Sequence, residues 1–172
     1  ASMVANLTTG KKKYAQYEDD IQRILREAEG KRKELVALAD ADAEAFAPLA
    51  KAYSLPKSTE DELAYREEVM KKVLYDASIA PLRIMETVSE VILLIEEVAE
   101  KGSVMAISDA GVAAVFAQAA LKGASLNVFI NTKSMKDRET ASELNKKAHA
   151  LIDQGMEKTD VIFAKVMDRL DN

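Results

Sequence analysis

Three groups of polar residues stand where the surrounding sequence is apolar, and each has a chemistry to offer. Asp42 falls on a stripe of apolar residues between Leu38 and Phe46, whereas Asp40 points elsewhere, into solvent. A carboxylate facing a core costs several kcal/mol unless it is paired or hydrogen-bonded. Burial also raises its pKa toward the range of a general base. The alternative for Asp42 is a hydrogen bond to the end of another helix. The second group is Asp109, Asn127 and Asn131, which share one helix face. Asp109 and Asn127 are 18 residues apart, five turns and so one azimuth, but about 27 Å along the axis. One small group cannot touch both within a single chain, so they serve different ends of a long ligand or different subunits combine them. Asn127 and Asn131, one turn apart, can hold one polar group together. Against this, an Asp in the first turn of a helix already complements the dipole. Asn is a poor helix former, which makes the Asn pair harder to explain by structure alone.

The third group is Gly10-Lys11-Lys12-Lys13-Tyr14, between two helical segments. Gly10 suits the left-handed residue that ends a helix. Three lysines then open the next helix, where cations oppose the dipole, and cations with free backbone N–H groups make an anion site. A solvated basic turn is the commoner origin of such a run. Other chemistries are poorly served. With no Cys and one His, the chain offers no thiolate or His-rich metal site and no cysteine nucleophile, and a serine triad is improbable. His149 lies in a charged stretch and reads as a surface residue. No glycine-rich phosphate loop occurs in strand–turn–helix context, and the seven methionines fall at core spacings.

The elements that must position these residues are helical. Apolar residues from Lys12 to Tyr53 recur at helical spacing (Tyr14, Tyr17, Ile21, Ile24, Ala28, Leu35, Leu38, Phe46, Leu49, Tyr53), and Pro56 ends the run. A second helix starts at Thr59, with Glu62 completing a capping box, and stops at Gly102. Pro81 inside it is expected to kink or break it near Ala80. A third begins at a Ser108-Asp109 cap and extends through Asn131. Its stretch Ala110 to Leu121 carries no charge, so it reads as a central helix buried on all sides. The last runs from Asp137 to Leu170, with a stripe of Leu144, Ala148, Leu151, Met156, Ile162, Phe163, Val166 and Leu170. The opening residues Ala1 to Leu7 are already in helical register, which suggests that a piece upstream is missing. The expected fold is all-α, a dimeric up-and-down bundle of long helices around a buried Ala-rich central helix, with residues 1–172 as one domain.

Composition agrees. The 172 residues are 48% apolar and 31% charged, with six Gly and three Pro, a globular balance too poor in turn residues for a sandwich or barrel. The net charge of −5 argues against a nucleic-acid partner. The absence of cysteine fits a reducing cytoplasm. The uncharged stretch Ala110 to Leu121 is too short to span a bilayer, so no membrane partner is expected.

In their order along the chain, these residues resemble the cyclodeaminase/cyclohydrolase family of folate enzymes. The resemblance rests on Met3-Val4-Ala5-Asn6-Leu7-Thr8 running into Gly10-Lys11-Lys12-Lys13-Tyr14, on Asp40-Ala41-Asp42-Ala43 with Phe46, and on Pro56 and Pro81-Leu82. Its most specific blocks are Ser108-Asp109-Ala110-Gly111-Val112-Ala113-Ala114 and Ala124-Ser125-Leu126-Asn127-Val128-Phe129-Ile130-Asn131. Members usually carry a glycine-rich segment just upstream of the first helix, and this sequence begins after it. No fused formiminotransferase domain is present, which favours the stand-alone cyclohydrolase over the bifunctional enzyme. The resemblance implies a homodimer that takes a reduced folate, polyglutamylated forms included. No metal is implied, and no cofactor beyond the tetrahydrofolate derivative that is the substrate. The implied reaction is reversible hydrolysis of 5,10-methenyltetrahydrofolate to 10-formyltetrahydrofolate. The alternatives are cyclodeamination of 5-formiminotetrahydrofolate with release of ammonia, or a non-catalytic helical dimerisation domain. On this reading Asp42 or Asp109 is the base, and Asn127 and Asn131 hold the pterin edge or the developing oxygen. Lys11, Lys12 and Lys13 meet the glutamate tail or the formyl oxygen, and Asn6 joins the substrate-binding set.

Overall fold

The computed structural model describes residues 1–171. It contains five α-helices: α1 (Ser2–Asn6), α2 (Glu18–Tyr53), α3 (Glu60–Lys101), α4 (Ile107–Ser134) and α5 (Arg138–Asp171). Short 3-10 turns at Lys12–Tyr17 and Val104–Ala106 lead into α2 and α4, and no strand occurs among the described residues. The all-α expectation holds. α4 packs between α3 and α5, while α2 lies along α3 and α1 sits against α2 and α4. Ion pairs give the directions. Arg23–Glu97 (2.5 Å) and Lys31–Glu90 run α2 antiparallel to α3. Lys147–Glu86, Lys158–Glu96 (3.2 Å) and Lys165–Glu100 (2.9 Å) run α5 parallel to α3.

Several helix ends follow from capping chemistry. The Thr59 hydroxyl accepts from the Glu62 N–H (3.2 Å) and the Glu62 carboxylate accepts from the Thr59 N–H (3.1 Å), the reciprocal cap legible in the sequence. Asp137 accepts from the Thr140 N–H (3.1 Å) to start α5, and Arg138 closes α4 by donating to the Thr132 and Met135 carbonyls (3.1 and 3.0 Å). Gly102 turns the chain from α3 toward α4 where a side chain has no room. A Cβ there would meet the Val98 carbonyl at 2.4 Å and the Val4 side chain at 2.6 Å. Val4 and Ala5 are fully buried, so α1 is part of the core.

Four expectations need correction. The helix expected from Lys12 starts as a 3-10 turn, and α2 begins at Glu18 with Glu18, Asp19 and Asp20 in its first turn. Three carboxylates there complement the dipole that the three lysines would have opposed. Pro81 does not break α3, which continues from Glu60 to Lys101. The cap expected at Ser108-Asp109 lies inside α4, which follows the 3-10 turn from Ala106 without a capping side chain and ends at Ser134. Most consequentially, α4 is not covered on all sides in the single chain. Ala110, Ala114, Leu121 and Val128 are buried, but Phe116 is 71% exposed, Leu126 67% and Ile130 65%. A helix apolar all round can have a core face and a bare face, and composition alone does not tell them apart.

By length and composition Val104–Ser134 is long and apolar enough to cross a membrane, its mean hydropathy reaching 1.7, where the shorter uncharged stretch alone is not. One face of this helix is committed to α3 and α5.

Candidate functional site

The sequence-predicted residues gather at two ends of the bundle. The first end holds α1, the loop after it and the start of α4. Gly10 adopts a left-handed backbone (φ 73°), as the sequence anticipated. Lys11, Lys12 and Lys13 are exposed, as is Asn6 at the end of α1. The loop supplies its own anion. The Glu18 carboxylate accepts from the Gly10 N–H (2.9 Å), from the Thr9 hydroxyl and from the Gln22 amide (2.9 Å). The Thr9 hydroxyl bond, first among these, holds the Glu18 carboxyl below its usual range. The Gly10 N–H is therefore taken by a side chain eight residues onward, in the first turn of α2. Nearby, the buried Thr8 hydroxyl accepts from the Ser103 N–H (2.7 Å), and the Tyr14 hydroxyl accepts from the Val104 N–H (3.1 Å), which lowers the Tyr14 pKa. These bonds fix the loop against the chain leaving α3. Asp109, half-buried, stands in the first turn of α4.

The second end holds Asp42, Asn127 and Asn131. On α2, Leu35, Leu38, Asp42, Ala45, Leu49 and Ala52 make a seam of alternating three- and four-residue steps, all half-buried or buried. Asp42 does interrupt an apolar stripe. Phe46, placed beside it by the sequence, is 61% exposed. Burial pushes the Asp42 carboxyl above its usual pKa, and none of the described residues donates a hydrogen bond to it. The antiparallel register of Arg23 with Glu97 and Glu34 with Thr87 (3.2 Å), continued two turns, sets Asp42 level with Ile79 of α3. Asn131 comes to the same level, donating from Nδ2 to the Ala77 carbonyl at 2.9 Å. Asn127 is exposed. The amide pair thus splits, one residue turned to α3 and the other to solvent. Asp109 lies 22 residues before Asn131, about 33 Å away along α4.

Beside this second end lies a cleft of about 760 Å³ that the sequence reading passed over. Leu63, Met70 and Tyr75 line it, with Arg66, Lys71 and Lys136 among its cations. The Arg66 Nε is buried and has no hydrogen-bond partner. Leu63, Arg66, Met70 and Leu74 share one helix face, which is the signal a sequence reading could have used. Apolar walls suit a ring system, while Lys136 and Lys71 are already paired with Glu67 and Asp137 of the same lining. No cluster of His, Asp or Glu among the described residues has the arrangement to hold a metal ion. His149 is exposed, as expected, and stacks on Phe129 at 4.7 Å.

The architecture is that of an all-α bundle with an unpaired, half-buried carboxylate at one end and a lysine-bearing loop at the other. The sequence profile of the formiminotransferase-cyclodeaminase family matches residues 1–150, and the chain belongs to that family. It is 41% identical over 98% of its length to the methenyltetrahydrofolate cyclohydrolase of Methylorubrum extorquens, covering 81% of that protein. It is 30% identical over 98% of its length to the formimidoyltransferase-cyclodeaminase of Mus musculus, but spans only 31% of that longer enzyme. The crystal structure of formiminotetrahydrofolate cyclodeaminase from Thermotoga maritima superposes with a TM-score of 0.79 at 28% identity, over 99% of this chain and 79% of that one.

Proposed function

We propose that the chain is a folate one-carbon enzyme that hydrolyses 5,10-methenyltetrahydrofolate to 10-formyltetrahydrofolate, reversibly. The observation that carries this reading is the 41% identity, across 98% of the chain, to a methenyltetrahydrofolate cyclohydrolase. The methenyl carbon is already cationic, so the protein needs only to bind, to orient water and to move a proton. Water attacks that carbon and gives up a proton to a carboxylate; the bond to N5 then breaks, N5 takes a proton, and the formyl group stays on N10. Asp42 is the base in this scheme, because burial raises its pKa and none of the described residues satisfies it. Asp109 accepts from pterin N–H groups, Asn127 holds the pterin edge or the developing oxygen, and Asn131 contributes the part of its amide not given to Ala77. Lys11, Lys12, Lys13 and Asn6 meet the glutamate tail, with the lysines attracting its carboxylates. The reduced folate is the only small molecule the scheme requires, no metal or further cofactor enters it, and the enzyme works in the cytoplasm as a homodimer.

A spectrophotometric assay tests the reaction, since hydrolysis abolishes the absorbance of the methenyl conjugation. Purified protein that leaves the spontaneous decay of methenyltetrahydrofolate unchanged overturns the reading. Ammonia released from 5-formiminotetrahydrofolate identifies the cyclodeaminase instead, a reading supported by the TM-score of 0.79 to such an enzyme.

A further inference from the structure

The cleft beside α3 leaves one charge unanswered. Four cations and three carboxylates line it. Lys136 pairs with Glu67, and Lys71 with Asp137 at 3.7 Å. Glu68 stands one turn before Lys72 on α3, a spacing at which opposite charges offset each other. Arg66 is left over. It stands in the apolar row of Leu63, Met70 and Leu74, and its Nε is buried with no hydrogen-bond partner among the described residues. A buried donor without an acceptor is costly, and such groups are rare in folded chains. The fold carries that cost at a position where Leu or Met would have avoided it.

The surroundings say what would relieve it. The Nε of a guanidinium and the neighbouring Nη donate in parallel to the two oxygens of one carboxylate. The walls beside that edge are apolar, with Leu63, Met70, Tyr75 and Met135 lining the same space. Its volume of about 760 Å³ falls within the roughly 300–1,000 Å³ of small-molecule sites. A compact, multiply charged anion such as phosphate would find one uncompensated cation and gain nothing from such walls. A ring that carries a carboxylate uses both. We propose that this cleft binds an aromatic acid, with its carboxylate on Arg66 and its ring against Leu63, Met70 and Tyr75. The cleft adjoins the Asn131 end of the bundle: Met135 follows Asn131 by four residues, and Leu74 precedes Ala77, which accepts from the Asn131 amide, by three. The aromatic acid is therefore either the aminobenzoyl-glutamate part of a folate held at Asp42 and Asn131, or a separate small molecule of the same chemistry. The site itself stands on Arg66 and the walls, and does not depend on the functional reading above.

Binding is read without an enzymatic assay. The chain has no Trp, so the fluorescence of 2-naphthoate reports its own binding. One saturable site per chain is expected. The uncharged analogue 2-naphthamide should bind about 10–100-fold more weakly, the range for a hydrogen bond to a charged group. Arg66→Met should weaken 2-naphthoate by the same factor and leave 2-naphthamide unchanged, with an unaltered circular dichroism spectrum. Arg66→Lys, which keeps the charge but not the fork, should recover little. Leu63→Glu sets a carboxylate one turn from Arg66 and should block 2-naphthoate by answering the guanidinium from within. No saturable binding up to millimolar 2-naphthoate overturns the proposal, as does equal affinity for the amide or an Arg66→Met protein that binds as the wild type does. The source of the acid is decided by competition. Displacement of 2-naphthoate by 4-aminobenzoylglutamate, with folate KM raised and kcat kept in Arg66→Met, assigns the cleft to the substrate and moves its first glutamate away from Lys11, Lys12 and Lys13. Binding of 2-naphthoate that 4-aminobenzoylglutamate leaves in place upholds a separate aromatic acid. A protein that binds 2-naphthoate through Arg66 but leaves methenyltetrahydrofolate intact overturns the enzymatic reading and upholds the cleft.

Discussion

Asn131 supplies the hydrogen bond that Pro81 takes away. In an unbroken α3 the Ala77 carbonyl would accept from the N–H four residues on, but that residue is proline and has none. The Asn131 amide, on the neighbouring helix, reaches the orphaned oxygen at 2.9 Å. Pro81 is itself buried, so water cannot take that place. Pro48 in α2 leaves a comparable gap, but it is exposed, where solvent satisfies the free carbonyl.

Replacing Asn131 by Ala should therefore destabilise the fold by about 1–3 kcal/mol, the cost of a buried acceptor left unpaired. In a Pro81→Ala background the restored N–H makes the same replacement nearly harmless. Denaturant titrations of the four proteins in the double-mutant cycle measure the coupling. Equal costs in both backgrounds would place the importance of Asn131 elsewhere.

Asp42→Asn should cut the turnover number by about 10²–10⁴-fold with little loss of folate binding, the range for losing a positioned proton-transfer group. Stability should move the other way. The folded state raises the pKa of Asp42, so the charged carboxylate disfavours folding once pH exceeds the unfolded value. The variant should melt higher than wild type at pH 7 and equal to it at pH 3. A scanning-calorimetry pair at the two pH values checks the sign.

Asp109→Asn should weaken folate binding before it slows turnover, because a half-buried carboxylate in the first turn of α4 is placed to accept hydrogen bonds from pterin N–H groups rather than beside the reacting carbon. The split between KM and kcat at varied folate concentration decides it. A loss confined to kcat would exchange the roles of the two aspartates.

Substituting Lys11, Lys12 and Lys13 together by Gln should raise KM most for polyglutamylated folates, and less as salt shortens the screening length below about 8 Å. Equal effects on mono- and polyglutamates would make the run a solubility feature. That outcome would accord with Glu18 already occupying the Gly10 N–H.

Acid should unfold the protein through the contact of α2 with α3. Asp20 of α2 is held below its usual pKa, first by Lys101 of α3. Burial pushes Glu97 up, but Arg23 and Lys101 together outweigh it and leave it lowered. Depressed carboxylates contribute stability above their unfolded pKa that is lost as pH falls through the folded one. The melting temperature is expected to fall as pH drops below the ordinary carboxylate range of about 4. Arg23→Gln should flatten that fall.

What the sequence showed depended on whether a signal was local. The Thr59–Glu62 box, the Gly10 backbone and the long helices are written in neighbouring residues and read correctly. The fate of Pro81 is not, because its remedy lies 50 residues away on another helix. The bare face of α4 escaped for a related reason: an apolar helix announces that it will be covered, without saying by whose atoms. Asp42 was legible because it breaks a periodic stripe. The cleft with Arg66 was not, because its cations sit on turns that look like ordinary solvated faces.

The ion pairs between helices run along the outside of the molecule. They tie α2 to α3 (Arg23–Glu97, Lys101–Asp20, Lys31–Glu90) and α3 to α5 (Lys147–Glu86, Lys158–Glu96, Lys165–Glu100). The charges of α4, Asp109, Lys122 and Lys133, join none of these. Dissolved salt therefore acts on the protein with two signs. It screens the partly exposed pairs and slackens the hold of α2 and α5 on α3. A strongly excluded salt such as sulfate meanwhile drives apolar surface out of water and tightens whatever covers α4. A moderate chloride concentration should loosen the perimeter first, and ammonium sulfate should firm the middle, so that ionic strength alone will not predict which way the molecule moves.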